Sequence, residues 1–219
     1  MTAINLSVRR ENACVSMEGK LRKAKGSIAV DLDNTLADTS GVVVGMIRER
    51  YNPEATMEGW KHYSAEKGFG VPHPTNLKLF HEAWKSWRKI PLVDGSIPNV
   101  LSRVHENANI YIITATVGRK EDFTNWLDSN RIPYDGITVV NHFDEKITEG
   151  SLRNIRTYID DHESVVRSVA AAGKKAILFE RPWNLDFAKS NTDQNIIPAS
   201  SWKEIGRILD SLHGVSSKQ

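Results

Sequence analysis

Two aspartates one residue apart, Asp31 and Asp33, follow the apolar run Ile28-Ala29-Val30 in the phrase SIAVDLDNTL. A carboxylate at the end of a buried strand is costly unless a cation or a hydrogen-bonding partner compensates it. Two of them, converging as the backbone turns, can divide a reaction between them. One holds a divalent cation or attacks as a nucleophile, and the other transfers a proton. Mg²⁺ suits the pair, because it takes a few hard oxygen ligands, keeps several waters and binds beside phosphate.

Three further phrases supply what phosphoryl chemistry still needs. IYIITAT (110–116) ends an apolar run in Thr114 and Ala115, a hydroxyl followed by backbone N–H groups that can hold phosphate oxygens. FDEKI (143–147) offers Lys146 as a point positive charge for the same oxygens. RTYIDDHES (156–164) ends in Asp160 and Asp161, more carboxylate for a metal. Lys174, Lys175 and Arg153 are the nearby competitors of Lys146.

The elements that must position these residues alternate. Short apolar runs at 27–32, 109–114, 137–141, 155–159 and 175–179 read as strands covered on both faces. Between them, 99–107, 119–130, 164–173 and 201–214 place apolar residues three and four apart, as helices do. Strand-helix repetition predicts a three-layer, Rossmann-like α/β core around a parallel sheet, with its site at the carboxyl ends of the strands. All four phrases lie at that edge.

One region breaks the alternation. From 39 to 93 only helical patterns occur, at 40–51 and 75–89, separated by GFGVPHP. The expected organisation is a core of 26–38 and 94–219, a helical cap of 39–93 inserted after the first strand, and a basic tail over 1–25. In the cap, Leu77, Phe80, Trp84 and Trp87 form one helical stripe, and Trp60 and Tyr63 form a similar pair. Such aromatics pack a small core or stack on a nucleobase, which makes Trp60, Tyr63 and Trp84 candidates for substrate contact.

Composition narrows the class. The 219-residue chain is 40% hydrophobic and 26% charged, an ordinary globular balance. Cys14 is the single cysteine and cannot form an internal disulfide, which fits a reducing compartment. No signal-peptide core or membrane-spanning run is visible, so a cytoplasmic protein without a membrane partner is expected. The tail holds Arg9, Arg10, Lys20, Arg22, Lys23 and Lys25 against Glu11 and Glu18. Contact of this tail with nucleic acid is conceivable, but a solvated tail is favoured. The seven histidines show no metal-ligand spacing, and HEAWK lacks the second His of a zinc-protease helix.

The order Asp-x-Asp-x-Thr, strand-end Thr, Lys, strand-end Asp-Asp resembles the haloacid dehalogenase superfamily of phosphohydrolases over residues 26 to 185. That resemblance implies Asp31 as the nucleophile that becomes an aspartyl-phosphate, and Asp33 as the acid and base, with its backbone carbonyl on Mg²⁺. It further implies Thr114, Ala115 and Lys146 at the phosphoryl group. Asp31, Asp33 and Asp160 would then be metal ligands, with Asp161 supporting them from behind. The helical insert, YIDDHESVV and ILFERPWN (177–184) are similar to the 5'(3')-deoxyribonucleotidase group, which implies a nucleoside monophosphate substrate. Other phosphomonoesters, such as a sugar phosphate or a polynucleotide 3'-phosphate, and an inactive nucleotide-binding protein remain alternatives. Oligomeric state is not legible.

Overall fold

A computed structural model describes residues 25–213. The strands are β1 (Gly26–Val30), β2 (Ala108–Thr114), β3 (Gly136–Val139), β4 (Thr157–Asp160), β5 (Lys175–Phe179) and β6 (Ile196–Ala199). They form one sheet in the order β3-β2-β1-β4-β5-β6, parallel throughout. Successive residues of each strand feed opposite faces. Ile28, Val30, Ile110, Ile112, Ile159 and Ile177 enter one hydrophobic core. Ala29, Ile113, Tyr158, Ala176 and Leu178 enter another. That is why the strands read as continuous apolar runs.

The helices that cover these faces have matching stripes. Helices α4 (Ile97–His105), α5 (Lys120–Ser129) and α9 (Trp202–His213) supply Leu101, Val104, Phe123, Ile205 and Leu209 to the first core. On the other face lie α6 (Glu145–Leu152), α7 (Glu163–Ala171) and α8 (Leu185–Ser190), with Ile147, Val165, Val169 and Phe187 inward. The chain runs from β1 to β2 and β3 on one side, then crosses to β4 on the other. The crevice between β1 and β4 is therefore the topological switch point, where α/β sheets bind ligands.

Between β1 and α4 the helices are α1 (Thr39–Arg50), α2 (Ala65–Phe69) and α3 (His73–Lys85), followed by a 3₁₀ turn at Trp87–Lys89. The insert leaves and returns through one narrow neck. There the Asp38 N–H donates to the Pro91 carbonyl and the Val93 N–H to the Leu36 carbonyl, both at 2.9 Å.

The structure moves several expected boundaries. The first strand stops at Val30, so Asp31 and Leu32 lie beyond it, and the fourth starts at Thr157 and reaches Asp160. The expected helix at 75–89 ends at Lys85, with the tighter turn after it. Strand β6 and helices α2, α6 and α8 were not anticipated. Of the expected tail, all but Lys25 lies outside the described residues; Lys25 donates to the His105 carbonyl at 3.0 Å. Among the described residues, no helix is long and apolar enough to cross a membrane.

Candidate active site

The backbone beyond β1 brings its two aspartates to one place. Asp31 continues the ladder through its N–H to the Ile159 carbonyl of β4 at 2.9 Å. The chain then turns tightly, with the Leu36 and Ala37 N–H groups both donating to the Leu32 carbonyl, at 3.0 and 2.9 Å. Asn34 takes the left-handed conformation the turn needs, φ 60°, which asparagine tolerates better than most residues. Its side-chain oxygen accepts from the Ser40 N–H at 2.9 Å, fastening the turn to the start of α1.

Lys146 reaches this point from α6. Its Nζ donates to Asp31 Oδ1 and Asp160 Oδ2, each at 2.7 Å, and all three side chains are buried. Gly150 allows that approach. It lies one helical turn beyond Lys146, and a Cβ at Gly150 would come within 1.8 Å of the Tyr158 hydroxyl. The competing cations point elsewhere. Lys174 bonds to Ser151 and the Ile155 carbonyl, Lys175 to the Gln194 carbonyl, and Arg153 to Glu149 and Thr138.

Asp160 also accepts from the His162 N–H at 2.9 Å. Asp161 accepts from the Thr35 hydroxyl at 3.3 Å and from the Trp183 indole at 3.1 Å. One carboxylate oxygen each of Asp31, Asp160 and Asp161 lies within 4.8 Å of the others. Asp161, expected only behind the site, thus stands as near to it as its neighbours. The Asp33 carboxylate lines the cleft above this cluster but is not one of these three. Its Oδ1 accepts from the Thr39 hydroxyl at 2.5 Å and the Trp84 indole at 3.0 Å.

Electrostatics explain what such a cluster asks for. Burial pushes Asp31 up to about 6 despite the Lys146 charge beside it, with Asp160 adding to the rise. Burial likewise raises Asp33 to about 6, against the lowering effect of the Thr116 and Thr39 hydroxyls. Asp161 is raised well above the carboxylate range by burial and by Asp31 and Asp160. Burial alone would lower Lys146, but Asp160 and Asp31 outweigh it and hold the ammonium protonated. Three buried carboxylates against one lysine leave room for more positive charge. A donor set of hard oxygens that close together fits a divalent cation such as Mg²⁺.

Above these charges is a cleft of about 370 Å³, lined by Thr114, Ala115 and Thr116 at the end of β2 and by Lys146, Asp31, Asp33, Asp160 and Asp161. Trp60, Tyr63 and Phe80 of the insert and Phe143, His162 and Trp183 of the core make its aromatic wall. Tyr63 meets His162 edge to face at 4.1 Å, and His162 stacks on Phe143 at 4.2 Å. Burial and the nearby Lys146 charge depress His162 to about 4. Burial and the carboxylates of Asp161 and Asp31 raise the Tyr63 phenol.

Trp84 corrects one expectation. It is fully buried and does not line the cleft, because Phe123 and Trp126 of α5 enclose it edge to face at 4.7 and 6.2 Å. It cannot stack on a ligand. Of the three aromatic candidates, Trp60 and Tyr63 do face the cleft. Sequence reasoning gave no site role to Thr35, Thr39, Phe143, His162 or Trp183. Thr35, Phe143, His162 and Trp183 all lie in the phrases DLDNT, FDEKI, YIDDHESVV and ILFERPWN that carry the resemblance, and only Thr39 carried no signal.

No protein-family model and no curated protein matches the chain. Solved structures do. A haloacid dehalogenase-like hydrolase of Streptococcus pneumoniae superposes with a TM-score of 0.63 at 15% identity, over 84% of this chain and 98% of the other. A haloacid dehalogenase-like protein of unknown function from Agrobacterium tumefaciens gives 0.61 at 14% identity, over 86% and 99%. The fold is that of the haloacid dehalogenase-like proteins. A further similar structure is the magnesium-bound hydrolase YfnB of Bacillus subtilis, with a TM-score of 0.54 at 16% identity, over 86% and 100%.

Proposed function

We propose that this protein is a Mg²⁺-dependent phosphomonoester hydrolase acting through an aspartyl-phosphate on Asp31, and that its substrates are nucleoside monophosphates. The observation that carries the reading is Lys146, bonded at 2.7 Å to both Asp31 and Asp160 on the floor of the cleft. A fixed cation beside a buried carboxylate is what lets an anionic phosphate approach an anionic nucleophile.

In this reading the Thr114 hydroxyl, the backbone after it at Ala115 and the Lys146 ammonium hold the phosphoryl oxygens. An Asp31 oxygen attacks phosphorus, the bond to the ester oxygen breaks, and that oxygen keeps the electron pair and takes a proton from Asp33. The alcohol leaves. Water then attacks the phosphorus and gives its proton to Asp33, and the bond to Asp31 breaks with its pair returning to the carboxylate. Asp31, Asp160 and Asp161, with the Asp33 carbonyl, would hold Mg²⁺, which when bound supplies further positive charge against the phosphate.

The division into a core of 26–38 and 94–219 and a cap of 39–93 belongs to the same proposal, supported by the two hydrogen bonds at the neck. The cap would close over the phosphate and select the leaving group. The aromatic wall of Trp60, Tyr63, Phe143 and Trp183 supports a flat, π-faced leaving group, hence a nucleoside.

The test is phosphate release from ribo- and deoxyribonucleoside 5'- and 3'-monophosphates, sugar phosphates and a 3'-phosphorylated oligonucleotide, with Mg²⁺ or EDTA. The expected result is Mg²⁺-dependent release from one mononucleotide class, lost in Asp31→Asn. Preference for a sugar phosphate would overturn the nucleotidase reading. Asp31→Asn turning over near the wild-type rate would overturn the mechanism.

A further inference from the structure

The helical insert does more than roof the cleft. Its α1 and α3 each send one donor to a single oxygen of Asp33: the Thr39 hydroxyl at the first residue of α1, and the Trp84 indole N–H near the end of α3. The Thr116 hydroxyl lies close enough to lower the Asp33 carboxyl but makes no hydrogen bond of proper geometry, so among the described residues none falls on Oδ2, and Asp33 lines the cleft. We infer that Trp84 is a positioning residue that, with Thr39, occupies Oδ1 of Asp33 and so assigns proton transfer to Oδ2, and that it ties this orientation to the seating of the insert. The inference rests on the proposed phosphohydrolase reading and deepens it.

The geometry has three parts. A carboxyl rotates about its last bond, so one bonded oxygen fixes the direction of the other. Trp84 is itself held, because Phe123 and Trp126 of α5 grip the indole on the core side at 4.7 and 6.2 Å. The Trp126 indole in turn donates to the Ile90 carbonyl at 2.8 Å, on the stretch that returns the chain to the neck. Displacing the insert from α5 would therefore withdraw the indole from Asp33. The leaving oxygen would then meet a carboxyl free to turn, with its acid proton no longer aimed.

Acid catalysis matters most for leaving groups that cannot bear a negative charge. An alkoxide needs its proton as the P–O bond breaks, whereas p-nitrophenolate departs without one. In the step written above, the proton that Trp84 aims is the one passing from Asp33 Oδ2 to the ester oxygen.

The experiment measures single-turnover alcohol release by Trp84→Phe and Thr39→Val with an alkyl phosphomonoester and with p-nitrophenyl phosphate, all in saturating Mg²⁺. Phenylalanine keeps an aromatic ring against Phe123 and Trp126 while it removes the N–H together with part of the indole volume, which is why Thr39→Val is measured beside it. The loss for Trp84→Phe should be about tenfold larger on the alkyl ester than on the aryl ester, with KM within about twofold of wild type. Thr39→Val should show the same split, and the double variant should lose clearly less than the two single losses combined, as both donors serve one oxygen. Equal losses on both esters would make Trp84 merely structural and overturn the inference, as would no loss on either. Thr39→Val remains informative if Trp84→Phe fails to fold. A wild-type protein inactive on both esters would instead overturn the phosphohydrolase reading itself.

Discussion

On the floor of the cleft the side chains bond to one another, whereas on its roof they pack edge to face. Lys146, Asp31 and Asp160 form a chain of ion pairs at 2.7 Å between helix α6, the end of β1 and the end of β4. The segment that carries Trp60, Tyr63 and Phe80 is joined to the sheet by a neck; Trp60 and Tyr63, in the loop between α1 and α2, meet Trp183, Phe143 and His162 across the opening, beside Phe80 of α3. Charged pairs tolerate little displacement, because a buried carboxylate without its cation is costly. Aromatic contacts, worth about 0.5–1.5 kcal/mol each, survive sliding. Under the proposed function, the floor would carry the unvarying chemistry and the roof would choose among substrates.

The largest expected effect breaks the floor at its centre. Asp31→Asn should cut phosphate release by at least about a thousandfold, with the unfolding transition retained. Measured turnover above a tenth of wild type would mean that another group attacks. Lys146→Met comes next, with kcat lowered by about a hundredfold, as for loss of a charged donor to a developing anion. Because it strands Asp31 and Asp160, urea unfolding should also show about 3 kcal/mol less stability.

Gly150→Ala tests whether the floor is held as stiffly as this comparison requires. The new methyl cannot sit 1.8 Å from the Tyr158 hydroxyl, so α6 and the Tyr158 ring must move apart, and any shift of the helix carries Lys146 with it. A loss of about 1–3 kcal/mol in stability is expected, with kcat falling about tenfold. On the roof, Tyr63→Ala should raise KM for a nucleoside monophosphate about tenfold and leave KM for a small sugar phosphate unchanged. Equal shifts for both substrates would show that the roof does not read the base.

The smallest effect separates the two regions by pH. Asp31 and Asp33, raised from 3.8 to about 6, lend stability that is complete below 3.8 and lost as pH rises through 6. His162, lowered from 6.5 to about 4, does the opposite: its contribution is complete above 6.5 and lost as pH falls through 4. Removing the imidazole in His162→Gln should therefore uncover the aspartates. In EDTA this variant should melt at a higher temperature at pH 5 than at pH 7.5, and Mg²⁺ should erase the difference by favouring the ionised carboxylates.

The same contrast governs what could be read in the sequence. Asp31, Asp33, Thr114, Lys146 and Asp160 were legible because a polar residue at the end of an apolar strand has few inexpensive explanations, and their order along the chain matches one sheet edge. The roof was not, because an aromatic stripe on a helix serves a core or a ligand equally well, and periodicity cannot tell Trp84 from Trp60. Strand β6 escaped because Pro198 interrupts its apolar run, which only an edge strand such as this one allows. Helices α2 and α8 span five and six residues, too short to show a period. His162 and Trp183 act through neighbours that only the fold supplies.

The neck at Asp38 and Pro91 has a consequence for how such a molecule diverges. Because the chain leaves and returns at two hydrogen-bonded points, the excursion between them is a closed loop whose ends are already joined. Closing a flexible loop twice as long costs only about 0.6 kcal/mol more. Lineages can therefore lengthen, shorten or exchange everything between these two residues while the catalytic edge keeps its register. Such exchange would replace Trp60, Tyr63 and Phe80 in the aromatic wall and leave Phe143, His162 and Trp183 in place, so half of the wall is free to vary and half is tied to the sheet.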